Sequence, residues 1–343
     1  MQPILILKFG TASITDKEGN LEDETLARIA KQVADLEKKY RIVLVSSGAV
    51  GAGKKFIQAY KGELRQKKAA AAIGNPILMA KYALHFQKYG VQVAQSLCER
   101  GHFANRAQFL QLKSTYQTLW ESGVIPIANE NDVVSDVELK FSDNDELATL
   151  LAAGLGAEIL MFSTSVGGLL DRQGAIVRQV ESIDGPVWDL VDKSKSSLGL
   201  GGMLSKLSFA KRANQLGIKV IIFAAREDHS IINALNGQSG THFIPQKVNR
   251  SLKQKWLSTG SLVAGHIVVD AGAVTAIRER KSLLAVGISS LEGDFEEGEV
   301  IEIHSLSGAC IAIGRAKVGN RELLANLKTK KFEVAHADEI VVL

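Results

Sequence analysis

Two polar clusters between residues 124 and 145 have the composition of a ligand site. Residues 129–132 read Asn-Glu-Asn-Asp directly after an apolar run, and residues 143–145 read Asp-Asn-Asp before a second apolar run. Side chains at the end of a strand and at the start of a helix can face a ligand together with the free N–H groups of the helix. Asp and Asn also cap helices and occupy turns, but two such clusters bracketing one connection favour a ligand site.

Two lysines close to glycines are candidate phosphate contacts. Lys8 follows the apolar run 4–7 and precedes Gly10, which lets the backbone approach a ligand closely. Residues 199–202 include three glycines before a predicted helix that carries Lys206 near its start. Glycine N–H groups, the positive end of a helix and a lysine favour a polyphosphate, although an exposed lysine and a flexible loop are the simpler alternatives.

A third small-residue loop, residues 46–53, follows a β-branched run and also suits an anion. Its Gly48 and Gly53, with the following Lys54, match the spacing of a P-loop. A P-loop then needs a Ser or Thr hydroxyl for Mg²⁺ at position 55, where this chain has a lysine. The sequence therefore argues against a P-loop here.

The elements that must position these residues alternate along the chain. Apolar or β-branched runs predict strands, and runs of helical periodicity predict helices, one of them restarting after Pro76. This alternation predicts an α/β fold in which a largely parallel sheet is sandwiched by helices. The predicted strands are 4–7, 42–45, 91–97, 124–127, 158–163 and 218–224, and the predicted helices include 21–40, 106–121 and 146–155.

The pattern changes after about residue 243. A polar, basic stretch that extends to about residue 260 is typical of a linker. The residues after it form short strand-like runs with one short helical segment, which predicts a small, mostly β barrel. We therefore expect one domain at residues 1–257 and a second at residues 258–343.

The composition is that of a globular protein with a large core. The chain has 343 residues, 46% of them hydrophobic, and lacks an apolar segment of the about 18 residues that span a bilayer. Its first eight residues are too few for a signal sequence, so we expect a soluble, cytoplasmic protein without a membrane partner. Cys98 and Cys310 form no metal-type or redox-type spacing, which predicts two reduced, packed thiols.

The charge is unevenly distributed between the two predicted domains. Residues 258–343 hold 9 Lys or Arg and 12 Asp or Glu, a charge of −3, which leaves +7 for residues 1–257 out of the total of +4. The basic excess of the larger domain suits an anionic ligand. The acidic balance of the smaller domain argues against the alternative of an RNA-binding protein, so nucleic acid is an unlikely partner.

Five motifs together resemble the glutamate 5-kinase group of the amino acid kinase family, over nearly the whole chain. They are LKFGTAS around Lys8, VSSGAVGAG around Ser47, IPIANEND ending at Asp132, SDND ending at Asp145, and GLGGMLSK ending at Lys206. The segment VVDAGAVTAIRERKSLL resembles the start of a PUA domain, so the predicted small barrel is expected to be PUA-like.

The resemblance implies a role for each matching residue. Lys8 and Lys206 would contact the transferring phosphoryl group, and Asp145 would hold both lysines in place. The substrate would lie against Ser47, Gly48, Asn129, Asp132 and Asn144. ATP would lie against Lys8, Thr164, Ser165, Leu200, Gly201, Gly202, Met203, Leu204, Ser205 and Lys206.

The resemblance also implies the reaction and the partners. The expected activity is ATP-dependent phosphorylation of the side-chain carboxylate of L-glutamate, the first step of proline biosynthesis from glutamate. Mg²⁺ is expected to arrive with ATP rather than on protein ligands, L-proline is a possible feedback inhibitor, and a homo-oligomer, either dimer or tetramer, is expected.

The alternatives within the fold are kinases of acetylglutamate, aspartate, carbamate or UMP, and the amides and carboxylates of residues 129–132 suit an ammonium better than the phosphate of UMP.

The chain departs from the expected pattern at four positions. Ser165 and Leu200 stand where an acidic residue and a threonine are expected, and Lys68 and Asn75 stand where glutamines are expected.

Overall fold

A sheet of eight strands, counted over the described residues, forms the larger part of the fold. The computed structural model describes residues 2–16, 18–134, 143–191, 202–245, 263–293, 295 and 297–342. The strand order is β3-β4-β2-β1-β5-β7-β8-β6. The strands are β1 Ile4–Phe9, β2 Arg41–Ser46, β3 Gln92–Cys98, β4 Val124–Glu130, β5 Ile159–Thr164, β6 Gln179–Val180, β7 Lys219–Ala224 and β8 Thr241–Phe243.

The six longer strands are parallel to one another, and among the described strands of this sheet the one antiparallel pair is β7 with β8. The central strands β1 and β2 are nearly continuous runs of buried apolar residues, as expected when helices cover both faces of a parallel sheet. The predicted α/β class with a largely parallel sheet is therefore confirmed. In chain order, the helices between residues 11 and 235 are α1 Thr11–Ile14, α2 Asp23–Leu36, α3 Ala49–Gly53, α4 Leu64–Gln87, α5 Gly101–Ala104, α6 Arg106–Glu121, α7 Asn144–Leu155, α8 Gly185–Trp188, α9 Met203–Gln215 and α10 Ser230–Leu235.

The alternation of side chains along β1 decides where Lys8 points. Leu5, Leu7 and Phe9 belong to the core that α2 and α4 cover. Ile6 and Lys8 therefore face the opposite side of the sheet, because successive side chains of a strand point to opposite faces. Helix α7 packs against β1 on that side.

One predicted boundary is wrong. The sequence suggested that a helix restarts after Pro76, but α4 continues without interruption from Leu64 to Gln87. Proline removes the backbone donor that would bond to the carbonyl of Ala72, which weakens a helix interior. Tertiary packing of α4 against α2 and α3 outweighs this local cost.

Helices α3 and α4 touch through their backbones. A Cβ atom added at Gly53 would lie 1.9 Å from the carbonyl oxygen of Ala70, and one added at Gly74 would lie 1.7 Å from that of Ala49. Only glycine fits at either position. This contact fixes α3, whose N-cap Gly48 has a left-handed φ of 104°, against the long helix α4.

The chain divides into two compact units, residues 1–99 with 114–248, and residues 100–113 with 249–343. Over its described residues, the second unit contains a five-stranded sheet of order β11-β9-β12-β13-β15 and a separate pair, β10 with β14. The predicted small, mostly β domain is confirmed, but the predicted boundary between 257 and 258 lies outside the described residues and stays a prediction. Its elements are β9 Val263–Val269, α11 Ala271–Arg278, β10 Leu283–Leu284, β11 Ile288–Gly293, β12 Val300–Ser305, β13 Cys310–Arg315, α12 Asn320–Ala325, β14 Glu333–Ala335 and β15 Ile340–Val342.

Neither cysteine is in a disulfide, as the sequence predicts. Burial raises the pKa of the Cys98 thiol to about 11, so this thiol stays protonated at neutral pH. Within the described part of the chain, every helix is too short or too polar to cross a membrane.

We expect Gly74→Ala to lower the stability of the protein strongly. The added methyl group overlaps the carbonyl of Ala49, so α3 and α4 must separate, at a cost of about 3 kcal/mol or more. Gly101→Ala is the matched control, because a Cβ atom at this helical glycine meets no atom within 4 Å. Thermal unfolding of both variants followed by circular dichroism is the measurement, and equal melting temperatures would contradict the backbone contact.

Candidate active site

The order of the strands in the sheet reverses at β1, and the carboxyl ends of the central strands lie at this point. The chain passes from β1 to β2 and outward on one side, and then returns to place β5 on the other side of β1. In open α/β sheets, ligands bind at this switch point, beyond the carboxyl ends of the strands. Lys8 lies near the end of β1, directly at this position.

A buried cluster of two lysines and one aspartate lies at the switch point. Lys8 Nζ is 2.5 Å from Asp145 Oδ1, and Lys206 Nζ is 3.1 Å from Asp145 Oδ2. Asp145 is completely buried, and the exposed fractions of the Lys8 and Lys206 side chains are only 5% and 7%. Strand β1 and helices α7 and α9 thus each contribute one member of the cluster.

Counted over Lys8, Lys206 and Asp145, the cluster carries one net positive charge, because a single carboxylate is shared by two ammonium groups. Burial lowers the pKa of the Lys206 ammonium, Asp145 opposes this change, and the charge of Lys8 adds to it. An anion placed against the two lysines would supply the missing negative charge. The cluster is therefore suited to bind an anionic group such as a phosphate.

Asp143 fixes the start of α7 and hence the position of Asp145. As N-cap, its Oδ1 accepts hydrogen bonds from the backbone N–H groups of Asp145 at 2.8 Å and Glu146 at 3.2 Å. Its Oδ2 accepts a hydrogen bond from Ser205 Oγ at 2.6 Å, which ties α7 to α9. Burial, and then the neighbouring Asp145 carboxylate, raises the pKa of Asp143.

A chain of amide side chains begins one residue before Asp145. Asn144 Nδ2 donates to Ser47 Oγ at 2.9 Å and to Asn129 Oδ1 at 3.0 Å. Asn129 Nδ2 in turn donates to Asn75 Oδ1 at 3.1 Å. The amide chain, defined as Ser47, Asn144, Asn129 and Asn75, therefore joins the ends of β2 and β4 to α7 and α4.

Two atoms of the amide chain are buried without a partner among the described residues. They are the acceptor Asn144 Oδ1 and the donor Asn75 Nδ2. The three hydrogen bonds within the amide chain are consistent with this orientation of the amides, because each donor meets an oxygen. A buried polar group without a hydrogen bond costs free energy, so a donor and an acceptor left open at one site indicate a polar ligand.

The structure describes most of the remaining predicted residues. Gly48 is buried beside Ser47, and Asp132 is half-buried in the turn after β4. Thr164 ends β5 and Ser165 is exposed directly after it. Leu200 and Gly201 lie outside the described residues. The other predicted nucleotide residues, Gly202, Met203, Leu204, Ser205 and Lys206, form the N-cap and first turn of α9.

Sequence reasoning did not assign a role to three residues that shape the site. Asp143 belongs to the second polar cluster predicted from the sequence but has no role of its own there, and Asn75 enters only as a departure from the expected pattern. Ser163, buried in β5, accepts a hydrogen bond from the N–H of Gly10 at 3.1 Å and donates one to Ser13 Oγ at 2.8 Å. A serine inside an apolar strand was the available signal for this contact, which fixes the turn after Lys8.

Comparisons with known proteins identify the family of this chain. The model of the amino acid kinase family matches residues 3–224, and that of the PUA domain matches residues 265–336. The chain is 33% identical to the glutamate 5-kinase of Vibrio vulnificus (strain YJ016), over 99% of this chain and 96% of that protein. It is 35% identical to the glutamate 5-kinase of Bacillus cereus (strain G9842), over 93% of this chain and 90% of that protein.

A solved structure shares the fold of the larger unit. The carbamate kinase from Giardia lamblia bound to AMP-PNP matches with a TM-score of 0.51 at 20% identity, over 71% of this chain and 99% of that one. The family membership predicted from the five sequence motifs is thus confirmed. The chain belongs to the amino acid kinase family, within the group of the glutamate 5-kinases, and carries a PUA domain after its kinase fold.

Proposed function

We propose that the site transfers the γ-phosphate of ATP to the side-chain carboxylate of L-glutamate, which yields ADP and L-glutamyl 5-phosphate and begins proline biosynthesis from glutamate. One observation carries the proposal. Consecutive residues, Asn144 and Asp145, belong to the amide chain and to the cationic cluster respectively. A polar acceptor bound to the amide chain would thus lie beside a phosphate bound to the lysines.

The reaction must bring two anions together. A carboxylate oxygen of glutamate forms a bond to the γ-phosphorus, and the bond from that phosphorus to the bridging oxygen of ADP breaks. The net positive charge of the cluster opposes the repulsion between the carboxylate and the phosphate. Lys8 and Lys206 act as the cations, and Asp145 orients both of them.

The reaction needs no general base. An ordinary glutamate carboxyl has a pKa of about 4.3, so the attacking group is already ionised at neutral pH. Asp145 has both oxygens engaged by lysines, which also leaves it poorly placed to accept a proton. Positioning and charge therefore supply the catalysis.

The amide chain suits the two charged groups on the α-carbon of an amino acid. Asn144 Oδ1 can accept a hydrogen bond from the ammonium group, and Asn75 Nδ2 can donate one to the α-carboxylate. Ser47, Gly48 and Asp132 lie in the adjoining turns and would complete the contacts. Asn75 is shorter than the glutamine expected here, yet its bond to Asn129 places it within the amide chain.

ATP would place its phosphates between Lys8 and the N-terminus of α9. That helix offers free N–H groups at Gly202, Met203 and Leu204, and its first turn presents Ser205 and Lys206. Mg²⁺ would arrive with the nucleotide. Lysine, serine and backbone donors already contact the carboxylates of Asp143 and Asp145, so the ion would be held mainly by phosphate oxygens.

Three further proposals follow from this function. The protein acts in the cytoplasm, where ATP and glutamate are available. It forms a dimer or a tetramer, which size-exclusion chromatography with light scattering would measure. Proline competes with glutamate, since it also has an α-carboxylate and an ammonium for the amide chain.

A coupled ADP-release assay with glutamate, aspartate, acetylglutamate, carbamate and UMP tests the proposed function. We expect glutamate to give the highest kcat/KM, and added millimolar proline to raise the apparent KM for glutamate. Higher kcat/KM with any other acceptor would reject glutamate as the substrate. A glutamate saturation curve that proline leaves unchanged would show that proline does not compete with glutamate.

We expect Lys206→Ala to lower kcat by about 100-fold or more with a modest change in the KM for glutamate, because a positioned cation is lost from the transition state. Lys211→Ala is the matched control, since Lys211 is exposed on the same helix. In the wild type, kcat/KM for ATP should also fall at an alkaline pH below about 10.4, the pKa of an ordinary lysine, because burial lowers the pKa of Lys206 in the ligand-free site. A near-normal kcat in the alanine variant would exclude this role.

We expect Asp145→Asn to retain measurable activity and Asp145→Ala to retain less, because an amide oxygen can still orient one lysine. The acid limb of the kcat profile should have the same apparent pKa in wild type and in the Asn variant. If that limb vanishes and the residual rate becomes independent of pH, Asp145 is a titrating base. The melting temperatures of both variants are measured in parallel. A variant that melts like the wild type but has lost activity has lost catalysis and not folding.

A further inference from the structure

Three side chains with metal-binding atoms lie together on the C-terminal sheet, in the unit that holds the PUA domain. His266 is on β9, and Glu302 and His304 are on β12. In the parallel pairing of these strands, Glu302 is directly opposite His266. His304 follows two residues after Glu302, so all three side chains project from the same face of the sheet.

The potential ligand atoms are already close. His266 Nδ1 is 3.2 Å from Glu302 Oε2, and His304 Nε2 is 2.8 Å from the same oxygen. The three ligand atoms all lie within 4.8 Å of one another. Nitrogen and oxygen ligands bound tetrahedrally to zinc at about 2.0–2.1 Å are separated by about 3.4 Å, so small side-chain rotations suffice to enclose an ion.

The backbone orients one of the imidazoles for this purpose. His304 Nδ1 lies 3.2 Å from the carbonyl oxygen of Gly308, to which it can donate its proton. That bond directs Nε2 of the same ring toward Glu302. Histidines that bind metals commonly donate their second ring N–H to a carbonyl or carboxylate, which sets the tautomer and the ring orientation.

The site is accessible yet partly enclosed. His304 and Glu302 side chains have exposed fractions of 22% and 27%, whereas His266 is 49% exposed. An ion can therefore enter from solution and still meet two partly desolvated ligands. Within the described parts of the chain, this is the one group of three or more His, Cys, Asp or Glu side chains with such spacing.

We propose that His266, Glu302 and His304 form a binding site for one divalent transition-metal ion of the zinc type. Two imidazoles and one carboxylate are ligands that zinc accepts with a fourth position left to water or to another group. Magnesium prefers oxygen ligands and would bind poorly there. The ion would join β9 to β12 through their side chains, independently of the kinase reaction proposed above.

Isothermal titration of the chelator-treated full-length protein with zinc chloride tests the site. We expect about one equivalent to bind to the wild type, and His304→Ala and His266→Ala to weaken binding by about 100-fold or more. His336→Ala is the matched control, because it removes another exposed histidine of the same unit, one that lies 3.6 Å from Asp338. This control should keep the wild-type affinity.

Glu302→Gln provides a second test that preserves side-chain shape. We expect it to fold as the wild type does by circular dichroism and to bind zinc at least about 10-fold more weakly, since a neutral amide replaces the carboxylate. Zinc should raise the melting temperature of the wild type but not of this variant. Absence of saturable zinc binding in the wild type, or wild-type affinity in all three variants, would overturn the proposal.

Discussion

Asp145 pairs with two buried ammonium groups, and the relative placement of β1, α7 and α9 depends on this one shared carboxylate. Burying three charges is costly, and removing one partner of such a pair commonly costs roughly 3–5 kcal/mol. The arrangement persists because a strand, a helix start and a second helix each deliver one side chain to the same point. The excess positive charge is therefore a built-in property of the fold, available to any phosphate that reaches the switch point of the sheet.

The start of α7 divides two tasks between neighbouring residues. Successive residues of a helix point about 100° apart, so Asn144 and Asp145 cannot face the same partner. Asn144 turns toward the ends of β2 and β4, and Asp145 turns toward β1 and α9. The cap formed by Asp143 sets both directions at once, and the hydrogen bond that it accepts from Ser205 fixes α7 against α9.

The sequence was most informative where polar residues interrupt apolar runs. Lys8, Asn144, Asp145 and Lys206 could be recognised because each stands at or near the edge of a predicted element. Asn75 could not, because it lies in the middle of a long helix, and its bond to Asn129 depends on how α4 crosses the sheet. The uninterrupted course of α4 through Pro76 is likewise decided by packing.

The same limit applies to the second unit. Its mostly β character follows from short strand-like runs in the sequence. The grouping of residues 100–113 with this unit depends on long-range contacts, which leave no pattern in the local sequence. The juxtaposition of His266 with Glu302 and His304 depends on the parallel pairing of strands that are more than thirty residues apart. Strand register of this kind is fixed by the core, not by the sequence near the histidines.

The position of Lys8 inside a hydrogen-bonded strand has a consequence for how the N-terminal region tolerates length changes. Strand β1 pairs with β2 and β5 along both edges, so its residues cannot slide without breaking two ladders. Insertion or deletion of one residue between Ile4 and Lys8 would turn the ammonium from α7 into the core beneath α2 and α4. Additions before Ile4 leave the strand in place, so tags and fusions belong there rather than within the strand.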